Sequence, residues 1–195
     1  RNDTILQQPA FSRDHTERML GAMGANLLED GLVLAIKPGS KLKPLDITVS
    51  GDISSASFWM VAAAAHPNSW IRLTNVGINP TRTGVLDVLE NMGVEIKKEN
   101  TRMEGGEPVA DIIIESSDLN GVDITGDMIP IVQDEIPVLA LAACFAKGTT
   151  VIRDAQELRH KETDRLHATA TELSKLGANI EELSDGLVIE GTGHL

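Results

Sequence analysis

The sequence predicts a mixed α/β fold, an α+β arrangement built of repeated βαβαββ units. Three observations predict it. One device recurs: Met23-Gly24-Ala25-Asn26-Leu27, Met92-Gly93-Val94-Glu95-Ile96 and Leu176-Gly177-Ala178-Asn179-Ile180 each end a helix at glycine and enter a strand. Residues 45–115 and 122–190 each read, in order, as strand, helix, strand, helix, strand, strand, and residues 12–36 read as the second half of one more unit. Each unit closes on a hairpin with a glycine-bearing turn: Glu29-Asp30-Gly31, Glu104-Gly105-Gly106-Glu107 and Ser184-Asp185-Gly186.

Residues 1–11 read as an extended lead-in, with Gln7-Gln8-Pro9 as a breaker. Ser12 is the expected N-cap of a helix that runs to Met23 and stops at Gly24. The first hairpin pairs residues 25–28 with 32–36, and 37–44 form a polar connector. Residues 45–49 alternate as a strand. Gly51-Asp52-Ile53-Ser54-Ser55-Ala56-Ser57 is a cap-rich opening to the apolar helix 58–65, which His66-Pro67-Asn68 stops. A strand at 70–73 leads to Asn79-Pro80-Thr81-Arg82-Thr83-Gly84, the start of helix 85–92; strands 94–98 and 110–115 complete the unit. The next unit has strand 122–125, helix 136–146, strand 149–152 and a helix carrying Leu166, Ala170, Leu173 and Leu176 near the 3.6 period. Strands 178–182 and 186–190 follow.

The chain has 195 residues, room for one large domain or two small ones, and its 42% apolar content supports a core. A net charge of -12 excludes general affinity for nucleic acid or for an anionic membrane surface, since both would repel it. An anionic ligand must therefore be held by a local basic cluster. The lone cysteine, Cys144, has no internal disulfide partner; its apolar helical setting fits a core position and a reducing, cytoplasmic compartment. The longest apolar run, 58–65, is too short to span a bilayer. The sequence opens on Arg1-Asn2-Asp3-Thr4 without an initiator methionine or an apolar signal region, and reads as an internal piece of a longer chain.

The densest basic cluster is His160, Lys161 and Arg165, at a strand-to-helix turn. Lys161 and Arg165 are four apart and are expected to share a helix face, with Glu162 beside Arg165. A cation at a helix N-terminus costs ~0.3–1 kcal/mol, so bases gathered there suit an anionic ligand. The plain alternative is a solvated helix tied by the Glu162–Arg165 pair. Asp134 and Glu135 open the apolar helix 136–146 and locally need be no more than a cap and a first-turn acid. Facing Lys161, Glu162 and Arg165 across a cleft, they would complete a set of acid, base and anion-holding cations. Ser12-Arg13 and residues 79–84 are two further donor-rich helix starts; four such starts around one cleft make an anion trap, or are four ordinary caps. His15, His66, His160, His167 and His194 have no metal-ligand spacing, and there is no glycine-rich nucleotide loop.

Five motifs carry a resemblance to a known family: Ser12-Arg13-Asp14-His15-Thr16-Glu17, Gly51-Asp52-Ile53-Ser54-Ser55-Ala56, Asn79-Pro80-Thr81-Arg82-Thr83-Gly84, Asp134-Glu135-Ile136-Pro137-Val138-Leu139-Ala140 and residues 157–166. In this order they resemble the 5-enolpyruvylshikimate-3-phosphate synthases, along essentially the whole chain. The resemblance implies two domains of three βαβαββ units each, with helix N-termini pointing into the interdomain cleft. Residues 1–49 would end the first, shikimate-phosphate-binding domain, and 50–195 would supply two units of the second, about 50–117 and 118–195.

It also implies transfer of the enolpyruvyl group of phosphoenolpyruvate to the 5-hydroxyl of shikimate 3-phosphate, with no metal or organic cofactor. Asp134 then matches the base for the 5-hydroxyl proton and Glu162 the group that protonates the phosphoenolpyruvate methylene. Lys161 matches a catalytic residue that also contacts shikimate, as Asp134 does; Arg165 and Glu162 match phosphoenolpyruvate contacts, and Ser12 with Arg13 the holders of the shikimate phosphate. Two departures stand out. Glu157 occupies a position where some members use asparagine on shikimate, so no role is carried to it. The family's N-terminal lysine, Asn-Gly loop, Ser-x-Gln segment, His-Arg pair and last lysine have no counterpart, so the chain by itself is expected to be inactive. Its implied partners are the two small anionic substrates and the missing N- and C-terminal parts of the parent chain. The competing readings are a relative that transfers enolpyruvate to UDP-N-acetylglucosamine, which would work through a cysteine on an exposed loop, and a non-catalytic anion-binding module of the same fold.

Overall fold

The computed structural model describes residues 2–9 and 11–195; Arg1 and Ala10 of the expected lead-in lie outside them. The chain begins with β1 (Thr4–Gln7), α1 (His15–Ala22) and the hairpin β2 (Asn26–Asp30) and β3 (Val33–Lys37). β3 lies between the other two strands and runs antiparallel to both. The lead-in is thus partly a strand, because β3 leaves an edge for it. Ser12 does not cap α1. Its hydroxyl donates to Gln8 Oε1 at 2.9 Å, and the helix opens three residues later behind Asp14, whose carboxylate is taken by Arg18 at 2.8 Å.

No strand forms at 45–49; residues 40–50 carry no regular structure. The alternation there finds no sheet face to cover it, and Val49 is 82% exposed. The first complete unit then runs α2 (Ile53–Ala65), β4 (Trp70–Gly77), α3 (Gly84–Asn91), β5 (Ile96–Glu104) and β6 (Glu107–Glu115). α2 starts five residues before the bulky run that marks it in the sequence, because the Asp52 carboxylate accepts from the Ser54 and Ser55 amides and satisfies the first turn. The second unit runs β7 (Asp123–Ile124), the short helix α4 (Ile129–Val132), α5 (Ile136–Phe145), β8 (Lys147–Ile152), a 3-10 turn (Gln156–His160), α6 (Arg165–Lys175), β9 (Asn179–Leu183) and β10 (Gly186–Thr192).

The repeat holds at the level of the sheets. One sheet has the order β4-β6-β5 and the other β7-β8-β10-β9, so each places its last strand between the two before it. β7 runs parallel to β8; in the first unit the single parallel bridge Gly51–Val76 stands at the corresponding place. The recurring glycines supply the link. Gly24, Gly93 and Gly177 have φ of +90°, +100° and +99°, a region that costs an L side chain about 1–2 kcal/mol, and each turns a helix end into the following strand.

α2 and α5 are apolar around most of their circumference and pack against each other. Their small faces, Ala63, Ala64, Ala140, Ala142 and Ala143, are buried, and Cys144 lies among them as expected. Among the described residues no single helix is long and apolar enough to cross a membrane.

The helix after β8 departs from its expected course. It begins at Arg165, with the Asp164 carboxylate accepting from the His167 amide. Lys161 has extended backbone, φ -80° and ψ -163°, so Lys161 and Arg165 do not share a helix face. Asp164 is the better cap, and Arg159 fixes it there by bonding Asp164 and Glu182, each at 2.8 Å.

Candidate anion-binding cleft

Parallel strand pairs place the starts of their following helices on one side of a sheet. Gly51 beside β4 does this for α2 and α3, and β7 beside β8 does it for α5 and α6. The result is one cleft of about 690 Å³, lined by Asp52 and Ser54 of the α2 start, Arg82 before α3, Asp134 before α5, and Glu162 and Arg165 at α6. Helix starts expose unpaired N–H groups and carry partial positive charge, so their convergence favours an anion.

Within the cleft, ion pairs run in a chain. Asp134 is held between two arginines: Arg13 bonds Oδ2, and Arg165 Nη1 bonds Oδ1 at 2.9 Å. Arg165 also grips Glu162 through both oxygens, at 3.0 and 3.1 Å. Burial opposes ionisation of Asp134, but the hydrogen bonds and charges of Arg13 and Arg165 outweigh it and hold the carboxyl below its ordinary value. Glu162 is held low too, first by its own backbone N–H and then by Arg165, against a desolvation penalty. At neutral pH both carboxyls are ionised and faced by arginine.

Arg13 reaches this chain because the α1 segment is tied down beside it. Buried Asn79 donates to Asp14 at 2.6 Å and to Glu107 at 2.9 Å, and His15 Nδ1 lies 2.8 Å from Glu107. Two residues read from the sequence stand apart. Lys161 pairs with Glu157 at 3.4 Å. Ser12 lines a neighbouring cavity of about 540 Å³ together with Arg13 and Glu157. The structure therefore gathers Asp134, Glu162, Arg165 and Arg13, and leaves Ser12 and Lys161 outside their ion-pair chain.

It also joins Ser54 and Arg82 to Glu135. Glu135, 1% exposed, accepts from Ser54 Oγ and lies 3.9 Å from Arg82. Burial pushes its carboxyl up, with Ser54 and Arg82 opposing. Locally Ser54, Arg82 and Glu135 look like capping residues, and no short-range signal separates them from caps. Among the described residues no group of His, Cys, Asp and Glu could hold a metal ion.

The geometry matches known proteins. The family described as EPSP synthase (3-phosphoshikimate 1-carboxyvinyltransferase) matches residues 1–194. The chain belongs to the EPSP synthase family. It is 55% identical over 194 residues to a 3-phosphoshikimate 1-carboxyvinyltransferase of Thermosynechococcus vestitus, covering 98% of this chain and 44% of that protein. A Bacillus subtilis protein of the same name is 53% identical over 188 residues, covering 96% and 44%. An EPSP synthase structure from Acinetobacter baumannii superposes with a TM-score of 0.94 at 44% identity, over 98% of this chain and 43% of that one. The enolpyruvyl transferase NikO from Streptomyces tendae, at 22% identity and a TM-score of 0.70, shares the fold. The chain thus spans less than half the length of these EPSP synthase relatives.

The depressed Asp134 carboxyl has a consequence for stability. A folded value below the unfolded one stabilises the folded state above ~pH 4, the ordinary aspartate range, and that contribution is lost as pH falls through the lower folded value. Urea denaturation of the parent and of Asp134→Asn should therefore differ at neutral pH and converge in acid. A constant difference down to acid pH would show that Asp134 ionisation does not stabilise the fold.

Proposed function

We propose that the protein carrying this chain transfers the enolpyruvyl group of phosphoenolpyruvate to the 5-hydroxyl of shikimate 3-phosphate, giving 5-enolpyruvylshikimate 3-phosphate and phosphate. The observation that carries this reading is Arg165, which joins Asp134 and Glu162 in one cleft of converging helix starts. In the reaction the substrate 5-oxygen bonds C2 of phosphoenolpyruvate while C3 takes up a proton. Phosphate then leaves as a methyl proton returns to the Glu162 carboxylate. Asp134 accepts the hydroxyl proton and Glu162 supplies the C3 proton. Lys161, with Ser12 and Arg13, contacts shikimate 3-phosphate, and Arg165 contacts phosphoenolpyruvate. These groups supply acid–base and electrostatic catalysis, so the step calls for no metal or organic cofactor.

The ion pairs give the proposal a trigger. A base must be ionised, and Asp134 is; an acid must hold a proton, and Glu162 paired with Arg165 does not favour one. The Glu162 backbone N–H is the main group that holds this carboxyl low, and an anionic ligand that recruits Arg165 removes the smaller hold of the guanidinium, which moves the carboxyl upward. Residues 1–49 would belong to one domain and 50–195 to the other, and the buried lone Cys144 fits a reducing cytoplasm.

A cysteine-dependent transfer to UDP-N-acetylglucosamine is disfavoured. Cys144 is buried in α5, its thiol pushed up by burial. The deciding assay supplies phosphoenolpyruvate with either acceptor to an enzyme of the relatives' full length that carries this segment. Phosphate release with shikimate 3-phosphate is expected; release with UDP-N-acetylglucosamine alone would reverse the reading.

A further inference from the structure

Arg82 lines the same cleft as Asp134, Glu162 and Arg165, but it is poised differently. Its side chain is only 15% exposed, yet its nearest carboxylates are Asp52 at 3.4 Å and Glu135 at 3.9 Å. Arg165, by contrast, meets carboxylate oxygens at 2.9 and 3.0 Å. The hydrogen bonds of Arg82 to described residues leave from Nη2, to Ser54 Oγ at 2.5 Å and to Asp52 at 3.4 Å. Among the described residues its Nε is buried without a partner. A guanidinium offers five N–H donors in a rigid fork, and a mostly desolvated one with donors unspent lacks the bidentate carboxylate that a purely structural arginine takes. Ser54 receives a bond from Arg82 and donates to Glu135, so the three form a relay that ends on a carboxylate next to Asp134.

We propose that Arg82 contacts an anionic group of the cleft's ligand, a phosphate or a carboxylate, and that Ser54 and Glu135 are positioning residues that aim its guanidinium. The inference rests on the anion-binding reading of the cleft and adds a contact that the sequence resemblance does not assign. Ser54 limits the sideways travel of the guanidinium. Glu135 supplies a counter-charge without closing on it, which leaves the fork available to a ligand oxygen.

The test uses an enzyme of the relatives' full length carrying this segment, with Arg82→Gln, Arg82→Ala, Arg82→Lys and Glu135→Gln. Calorimetry measures the Kd of shikimate 3-phosphate and of phosphoenolpyruvate at low and high salt, beside the thermal midpoint. Arg82→Gln is expected to weaken one of the two ligands by roughly 10- to 100-fold, the loss of a charged hydrogen bond, and to flatten that ligand's salt dependence. The ligand affected identifies which substrate Arg82 serves. Arg82→Lys should restore part of the affinity, and Glu135→Gln should weaken the same ligand by a smaller factor. Unchanged affinities, within about twofold, in Arg82→Gln and Arg82→Ala at both salts would overturn the proposal. Loss of the fold in all three Arg82 variants would overturn it too, by making the residue structural. If the parent neither binds nor turns over these substrates, the proposed function fails separately, and titration with inorganic phosphate decides Arg82. Phosphate binding lost in Arg82→Gln keeps the inference; binding unchanged, or absent from the parent, ends it.

Discussion

Replacing Asp134 by asparagine, in an enzyme of the relatives' full length, is expected to lower kcat by about 10²- to 10⁴-fold, the range for losing a positioned proton-transfer group. The change is nearly isosteric, so the fold should persist. It removes the negative charge between Arg13 and Arg165 and leaves both guanidinium groups facing the cleft without it. The local potential becomes more positive, so the KM for phosphoenolpyruvate should stay level or fall while kcat collapses. That split marks a role in chemistry; a purely structural Asp134 would lose stability with little change in kcat. Glu162→Gln should behave alike, because it too frees Arg165 while removing a proton carrier. Retention of activity in both variants would refute the assigned roles.

The 195-residue chain by itself is expected to show no detectable transfer, even at high concentration and over hours. The proposed acid and base are present, but the cleft is open. The Glu162 side chain is 68% exposed, and Phe58, which also lines the cleft, is 62% exposed. An open, solvated site weakens electrostatic stabilisation of the charge that develops in the transition state. The relatives are more than twice as long as this chain. Proton NMR of phosphoenolpyruvate and shikimate 3-phosphate with the purified chain checks this directly. Formation of the enolpyruvyl product would refute it.

Much of the fold was legible because its causes are local. Gly24, Gly93 and Gly177 end helices through their own backbone freedom, and the apolar helices α2 and α5 declare their burial by composition. Strand 45–49 was misread because alternation reports only a potential face, and no sheet is there to bury it. The start of α6 was misplaced because capping by Asp164 depends on where Arg159 and Glu182 bring their charges.

At the site, the family, the repeat and the residue types at the helix starts, including Asp134, Glu162 and Arg165, are all legible along the chain. Chain-local patterns encode caps, periods and motifs. The tertiary structure alone decided which charges meet. Asp134 lies 31 residues from Arg165 and 121 from Arg13, yet it is clamped between them. Ser54, Arg82 and Glu135 come from three different helix starts, and only the packing of α2 against α5 brings them into one hydrogen-bonded relay. Coulomb attraction and desolvation depend on distance through space, which no local pattern carries.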